Sequence, residues 1–175
     1  MKLEVALREM FAYPIADILA AMPEEGDPVW AQFALRQTAY PVHKATRSIV
    51  LHWRGDGEDG PVFTFDYAPV ALRKAVAACG ETIRATLGGR LLQLMLTELP
   101  AGATVQRHVD GAPALVASHR CHLPVLTNDA VSFMIGGVDH HLEAGSVYEF
   151  DNTRPHAVFN RGETRRVHLI CDVLP

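Results

Sequence analysis

His108 and Asp110 stand two apart in Arg107-His108-Val109-Asp110, and in an extended segment residues i and i+2 point to the same side, so both can reach one metal ion. A second imidazole, His156, follows in Asp151-Asn152-Thr153-Arg154-Pro155-His156-Ala157-Val158, just after the strand-like run Tyr148-Glu149-Phe150-Asp151. Two imidazoles and one carboxylate leave one face of a metal open. Non-heme Fe(II) oxygenases use such an open face to bind cosubstrate and O2 together. Beyond His156, Arg166 lies in the apolar run Arg165-Arg166-Val167-His168-Leu169-Ile170-Cys171-Asp172-Val173. A guanidinium on a buried strand needs an anion, and a carboxylate matches its two-pronged donor geometry. That anion is either a ligand or a carboxylate of the chain, such as Asp172 or Glu149. Arg120 and His122 form another i, i+2 pair that shares one face of a strand.

These residues need a scaffold that brings distant strands together. Residues 14–22 place Ile15, Ile18, Leu19 and Met22 at helical spacing behind Pro14, which suits a first turn. Arg47 to Trp53 alternates like a strand and leads into the turn-rich Gly55-Asp56-Gly57-Glu58-Asp59-Gly60. Residues 69–87 carry Leu72, Val76, Ile83 and Leu87 at helical intervals and stop before Gly88-Gly89, the clearest helix of the chain. From there on the pattern is short β runs separated by turns: 90–98, 103–109, 118–126, 130–136, 138–142, 146–151, 156–160 and 164–174. Such runs, with no helical pattern between them, favour an antiparallel jelly roll over a parallel sheet. The expected fold is mostly β with N-terminal helices (α+β): a double-stranded β-helix, cupin-like, buttressed by helices. One domain over 1–175 is expected, with 1–89 packing on a 90–175 core.

Across roughly residues 90–174 the chain resembles the aspartyl/asparaginyl β-hydroxylase family, a branch of the 2-oxoglutarate oxygenases. The resemblance rests on His-Arg-Cys-His-Leu at 119–123, Gly-Ser-Val-Tyr-Glu-Phe-Asp-Asn-Thr-Arg-Pro-His-Ala-Val at 145–158 and Arg-Val-His-Leu-Ile-Cys-Asp-Val at 166–173. It implies that His108 and His156 bind iron, that Arg166 grips the far carboxylate of 2-oxoglutarate, and that Arg120 and His122 also contact this cosubstrate. Some members of the family lack a carboxylate two residues after the first histidine. With Asp110 in place this chain is more similar to the small bacterial amino-acid hydroxylases. The implied activity is a dioxygenase using Fe(II), 2-oxoglutarate and O2 to hydroxylate an unactivated C–H bond of an amino acid or of a peptidyl Asp, Asn or Pro side chain. Succinate and CO2 would be released. Two other readings stand beside it: a non-catalytic cupin-like metal or small-molecule binding module, and a cupin metalloenzyme that does not use 2-oxoglutarate. Arg166 and Arg120 discriminate, because neither alternative requires a cationic anchor for a dicarboxylate beside the metal.

Composition narrows the partners. The 175 residues carry a formal charge of -4, which argues against a phosphate-backbone surface and so against nucleic acid. Apolar runs such as Leu91 to Leu96 are far too short to cross a bilayer, and Glu4, Arg8 and Glu9 interrupt any N-terminal signal, so no membrane contact and a cytoplasmic location are expected. Cys79, Cys121 and Cys171 are odd in number and widely spaced, the usage of buried small hydrophobes. A small-molecule or peptide substrate remains.

Several further residues invite a role. His140 and His141 are adjacent and would face opposite sides of a strand, so they cannot share one ion. His168 shares the face of Arg166. Gln93 and Thr97 would be polar on a buried strand face unless they line a cavity. Arg47 and His43 could meet a substrate carboxylate from the N-terminal strand, or else be exposed, solvated side chains. The segment Gly111-Ala112-Pro113-Ala114-Leu115-Val116-Ala117, directly after the metal ligands, is the natural substrate lid.

Overall fold

A computed structural model describes residues 3–55 and 60–175, so most of the 55–60 turn lies outside the described residues. The strands are β1 (Leu7–Ala12), β2 (Arg47–Arg54), β3 (Val62–Thr64), β4 (Arg90–Leu99), β5 (Thr104–His108), β6 (His119–Leu126), β7 (Val131–Ile135), β8 (Val138–His140), β9 (Ser146–Phe150), β10 (His156–Asn160) and β11 (Arg166–Leu174). The helices are α1 (Ala16–Ala21), α2 (Leu35–Ala39), α3 (Val70–Leu87) and α4 (Pro113–Ala117), with short 3-10 turns at Pro28–Ala31 and Pro41–His43. Seven strands form one sheet in the order β1-β9-β6-β11-β4-β2-β3, and four form another in the order β5-β10-β7-β8. The strand pairs are antiparallel. This is the jelly roll expected from the short β runs.

Strand alternation divides the large sheet into two unlike faces. On β11, Val167, Leu169, Cys171 and Val173 join Cys121, Leu123 and Val125 of β6 in an apolar layer shared with Ile18 of α1 and Leu72, Val76, Cys79 and Ile83 of α3. The opposite face meets the small sheet. There Leu99, Tyr148 and Phe150 pack on Val105, Val131, Phe133, Ile135 and Val158. The same inward face carries Arg120, His122, Arg166, His168 and Asp172, all buried. A polar layer inside a sandwich is costly unless its groups find partners or ligands. The three cysteines are buried and unpaired, as their spacing suggested.

Three features depart from the expected layout. The first element is a strand, β1, which pairs with β9 through Leu7↔Phe150 and Arg8↔Glu149. Its Arg8 and Glu9 are exposed, so its polar residues broke the hydrophobic pattern, and its partner lies at the far end of the chain. β2 and β3 also extend the large sheet, so the segment before residue 90 adds strands as well as buttressing helices. Helices are not confined to the N-terminal part either: α4 sits between β5 and β6. No helix among the described residues is long and apolar enough to cross a membrane.

α3 must turn sharply into β4, and two glycines make this turn. Gly88 caps α3 at φ 77°, ψ 164°, a region open essentially to glycine alone. At Gly89, φ 96°, a Cβ would lie 2.0 Å from the Leu174 carbonyl oxygen. Gly88→Ala is expected to cost about 1 to 3 kcal/mol of folding stability, and Gly89→Ala more because backbone must move. Chemical denaturation of the two variants checks this. Wild-type midpoints for both would refute the strain.

Candidate active site

His108 and His156 lie far apart in sequence and directly opposite each other in the β5–β10 ladder. Cross-strand partners of this kind hold their Cβ atoms about 5 Å apart on the same face. Their rings stand 4.2 Å apart between centroids. Asp110 follows β5, where its N–H donates to the Asn152 carbonyl oxygen at 3.2 Å. One ligand atom from each of His108, Asp110 and His156 lies within 4.8 Å of the others.

The two histidines are oriented for coordination. Nδ1 of His108 lies 2.7 Å from the Gln106 carbonyl oxygen, and Nδ1 of His156 lies 2.9 Å from that of Arg154. A carbonyl oxygen only accepts, so both Nδ1 atoms carry a proton and Nε2 is the nitrogen of each ring left to coordinate. This is how metal-bound histidines are commonly tied down. Burial, with weaker opposition from Asp110, pushes the His156 pKa down to about 4, which keeps the ring neutral near pH 7. The donor set therefore fits a divalent transition metal. Burial alone would raise the Asp110 pKa, but Arg120 and then His156 outweigh it, and the carboxyl stays below its ordinary value.

Arg120 organises this carboxylate. It sits opposite Asp172 in the β6–β11 register and grips it bidentately, with Nε and Nη2 each donating at 2.7 Å. Its Nη1 donates to Asp110, and Nη2 also lies 3.4 Å from Gln93 Oε1. Arg120, which the resemblance places against the cosubstrate, thus holds two carboxylates of the chain. It still borders both cavities of the site.

Arg166 differs. It is 2% exposed, and among the described residues no carboxylate pairs with it. Asp172 is taken by Arg120, and Glu149 by Arg8 and His119. Its Nη2 donates to His168 Nδ1, and its Nε has no partner. Because a guanidinium only donates, His168 Nδ1 accepts and the opposite nitrogen, also without a partner, carries the proton. His122 Nδ1 lies 3.3 Å from the same His168 atom. Burial, with Arg36 adding to it, pushes the Arg166 pKa down to about 9. Burial likewise holds His122 and His168 well below the ordinary histidine value.

Two cavities meet at the His108, Asp110 and His156 group. A narrow inner one, about 30 Å³, is bordered by Arg166, His122, Thr97, His108 and His156. A wider outer one, about 290 Å³, is bordered by His108, Asp110, Gln93, Trp53 and Leu115. Arg36, His43 and Arg120 border both. Thr97 and Gln93 are therefore cavity residues, and His43 stands edge-on to His108 at 5.0 Å between ring centroids. Arg47 is not at the site: it pairs with Glu98 at 2.8 Å, because β2 alternation turns it away. His141 Nδ1 lies against the Val131 carbonyl oxygen. The expected lid is a helical turn, α4, with Ala114 and Leu115 buried and the Leu115 carbonyl oxygen accepting from Asn152. Arg36 was not legible in the sequence, since its segment shows no periodic pattern and only the fold brings it beside β4 and β6.

A sequence model described as Aspartyl/Asparaginyl beta-hydroxylase matches residues 18–175. The chain belongs to this family. Among solved structures, an oxidoreductase of the 2OG-Fe(II) oxygenase family from Burkholderia pseudomallei superposes with a TM-score of 0.65 at 16% identity, over 97% of this chain and 84% of that one. A prolyl-4-hydroxylase from Pseudomonas putida gives 0.57 at 16% identity, over 97% and 92%. At these identities the likeness is one of fold. No curated protein matches the sequence. As a member of this hydroxylase family the chain is an oxygenase enzyme.

Buried neutral histidines give this family member a pH signature. His43, His122, His156 and His168 all have folded pKa values below the ordinary 6.5, burial being the first cause in each. The unfolded chain takes up protons near that value and the folded chain does not. Their contribution is therefore complete above about pH 6.5 and is lost as pH falls towards the folded values. Urea midpoints of the metal-free protein are expected to drop between about pH 7.5 and about pH 5.5. Equal midpoints would show that these rings are not held neutral.

Proposed function

We propose that the chain is an Fe(II)- and 2-oxoglutarate-dependent dioxygenase that hydroxylates an unactivated C–H bond of an amino acid or of a peptidyl Asp, Asn or Pro side chain. The observation that carries this reading is Arg166, a buried guanidinium that no carboxylate of the described chain neutralises. A buried charge left unpaired costs several kcal/mol, so a fold that retains one is built for an anion that arrives with a ligand. A cupin-type binding module or a cupin enzyme without 2-oxoglutarate needs no such group beside its metal.

In this reading His108, Asp110 and His156 hold the iron and leave a face of it open. Together, iron, 2-oxoglutarate and O2 supply the oxidising power that converts C–H to C–OH, with succinate and CO2 as the other products. The residues of the chain bind and orient. Arg166 takes the far carboxylate through two parallel N–H donors, which fixes that end of the cosubstrate at the narrow inner cavity. His168 steadies the Arg166 guanidinium by accepting from it, and His122 borders the cosubstrate opposite Phe133 and Phe150. Arg120 keeps Asp110 ionised and aimed at the metal while flanking the cosubstrate's cavity. The wider cavity admits substrate, and Trp53 and Leu115 on its wall help to exclude water from the reacting bond.

Titrating 2-oxoglutarate into the metal-loaded protein tests the assignment. Two charge-assisted bonds of about 1.5 to 3 kcal/mol each make Arg166→Ala at least roughly a hundredfold weaker for 2-oxoglutarate. Arg166→Lys keeps the charge without the planar fork and is expected to fall between. Metal affinity without cosubstrate stays at the wild-type level in both. Unweakened 2-oxoglutarate binding by Arg166→Ala would make the arginine a structural residue and remove the cosubstrate assignment. The metal set is tested separately: His108→Ala and His156→Ala lose Fe(II) binding, whereas Asp110→Ala retains a weakened site.

A further inference from the structure

Arg166 is not alone in lacking a counter-charge. Arg36, on α2, is 9% exposed, and among the described residues the Thr46 hydroxyl accepts from its Nη1 at 3.3 Å. No carboxylate of the described chain lies within ion-pair distance of it. Unlike Arg166, it borders the outer cavity as well as the inner one, so it faces the space beside His108 and Asp110.

The charges of the site lead to the same place. Bordering the cavities or bonded to their walls are three buried guanidinium groups, Arg36, Arg120 and Arg166, and two buried carboxylates, Asp110 and Asp172. Resting on the dioxygenase reading above, a divalent metal and the 2-oxoglutarate dianion cancel each other, and one positive charge remains. Arg120 is satisfied by its two carboxylates and Arg166 by the cosubstrate. Among the buried groups the residual charge sits on Arg36; Arg54, the other guanidinium at the outer cavity, is half-buried and donates to the Gly55 carbonyl oxygen. One more carboxylate in the outer cavity would neutralise it, and about 290 Å³ is room for a small molecule or a single side chain.

We propose that Arg36 is the substrate-binding cation of this enzyme, and that the substrate presents a carboxylate that pairs with it in the outer cavity. The pair fixes one end of the substrate, while Trp53 and Leu115 supply apolar wall for the rest. His43 lies next to this position with its Nδ1 buried and without a partner, available to a polar group of the same molecule. The carboxylate belongs to a free acid or to an acidic side chain, and the two sources are separable by experiment.

Protein loaded with Zn(II) and 2-oxoglutarate, which cannot turn over, is titrated with matched pairs. L-proline, L-asparagine and L-aspartate are each compared with their α-carboxamides, and N-acetyl-L-aspartamide, whose free carboxylate is on the side chain, with N-acetyl-L-asparaginamide. At least one acid is expected to bind wild type about ten- to a hundredfold more tightly than its carboxamide partner, the worth of one charge-assisted contact. An α-carboxylate preference identifies a free acid, and a side-chain preference identifies an acidic residue. Arg36→Gln abolishes the preference and Arg36→Lys restores part of it, while 2-oxoglutarate binds both variants within about threefold of wild type. The proposal is overturned if no acid outbinds its carboxamide partner, if Arg36→Gln keeps the preference, or if Arg36→Gln weakens 2-oxoglutarate as much as the acids. Loss of 2-oxoglutarate binding by wild type itself would instead sink the dioxygenase reading.

Discussion

A guanidinium removed from water must be matched by negative charge, and the interior of this sandwich contains three. Arg120 is matched within the chain: Asp172 stands opposite it in register and Asp110 lies on its other side. Arg166 and Arg36 are buried to a similar depth and have no carboxylate of the described chain as partner. This contrast separates what holds the site together from what the site is open to receive. Binding of anions at the unmatched arginines would stabilise the folded state by mass action, so cosubstrate and substrate would each tighten the protein they occupy.

The fold makes such a layer tolerable by putting the hydrophobic burial elsewhere. Alternation along β6 and β11 sends Cys121, Leu123, Val125, Val167, Leu169, Cys171 and Val173 to the helix-covered face, where α3 supplies the opposing side chains. The other face is then free to carry Arg120, His122, Arg166 and His168 towards the small sheet. Gly80 shows how closely the helix lies on its side: a Cβ there would come within 2.8 Å of Leu94 side-chain carbons. The polar face is in turn walled by Phe133 and Phe150, whose rings lie 5.0 Å apart and also pack against His156. A wet, charged interior would loosen a single-layer core. Two separate apolar layers allow it here.

Register is the link between scaffold and chemistry. His108 meets His156 because β5 and β10 pair with these two residues opposite, and a one-residue slip would turn one imidazole out of the site. Pro155 helps to fix that register: it has no N–H to donate, while its carbonyl oxygen accepts from Gly136 at the end of β7. The Arg154 carbonyl oxygen, just before it, lies 2.9 Å from His156 Nδ1.

The sequence by itself determined the β-rich core and the two longer helices, and it singled out His108, Asp110 and His156, which the fold brings together. Each of these is a local signal: alternation, helical spacing, or two side chains two residues apart on a strand. His-x-Asp followed by His and Arg in a β-rich region, with the motifs at 119–123 and 145–158, was also enough to indicate the family. Tertiary structure decided the rest. It made β1 a strand through a partner at the other end of the chain, turned Arg47 outward to Glu98, and gave the expected lid a helical turn. It tied Arg120 to Asp172 and left Arg166 without a carboxylate, a distinction the sequence had left open. It also brought Arg36 to the site from a segment with no periodic pattern. The reason is common to all of these. Which charges face each other depends on strand register and on contacts between distant segments, and neither is encoded in the spacing of neighbouring residues.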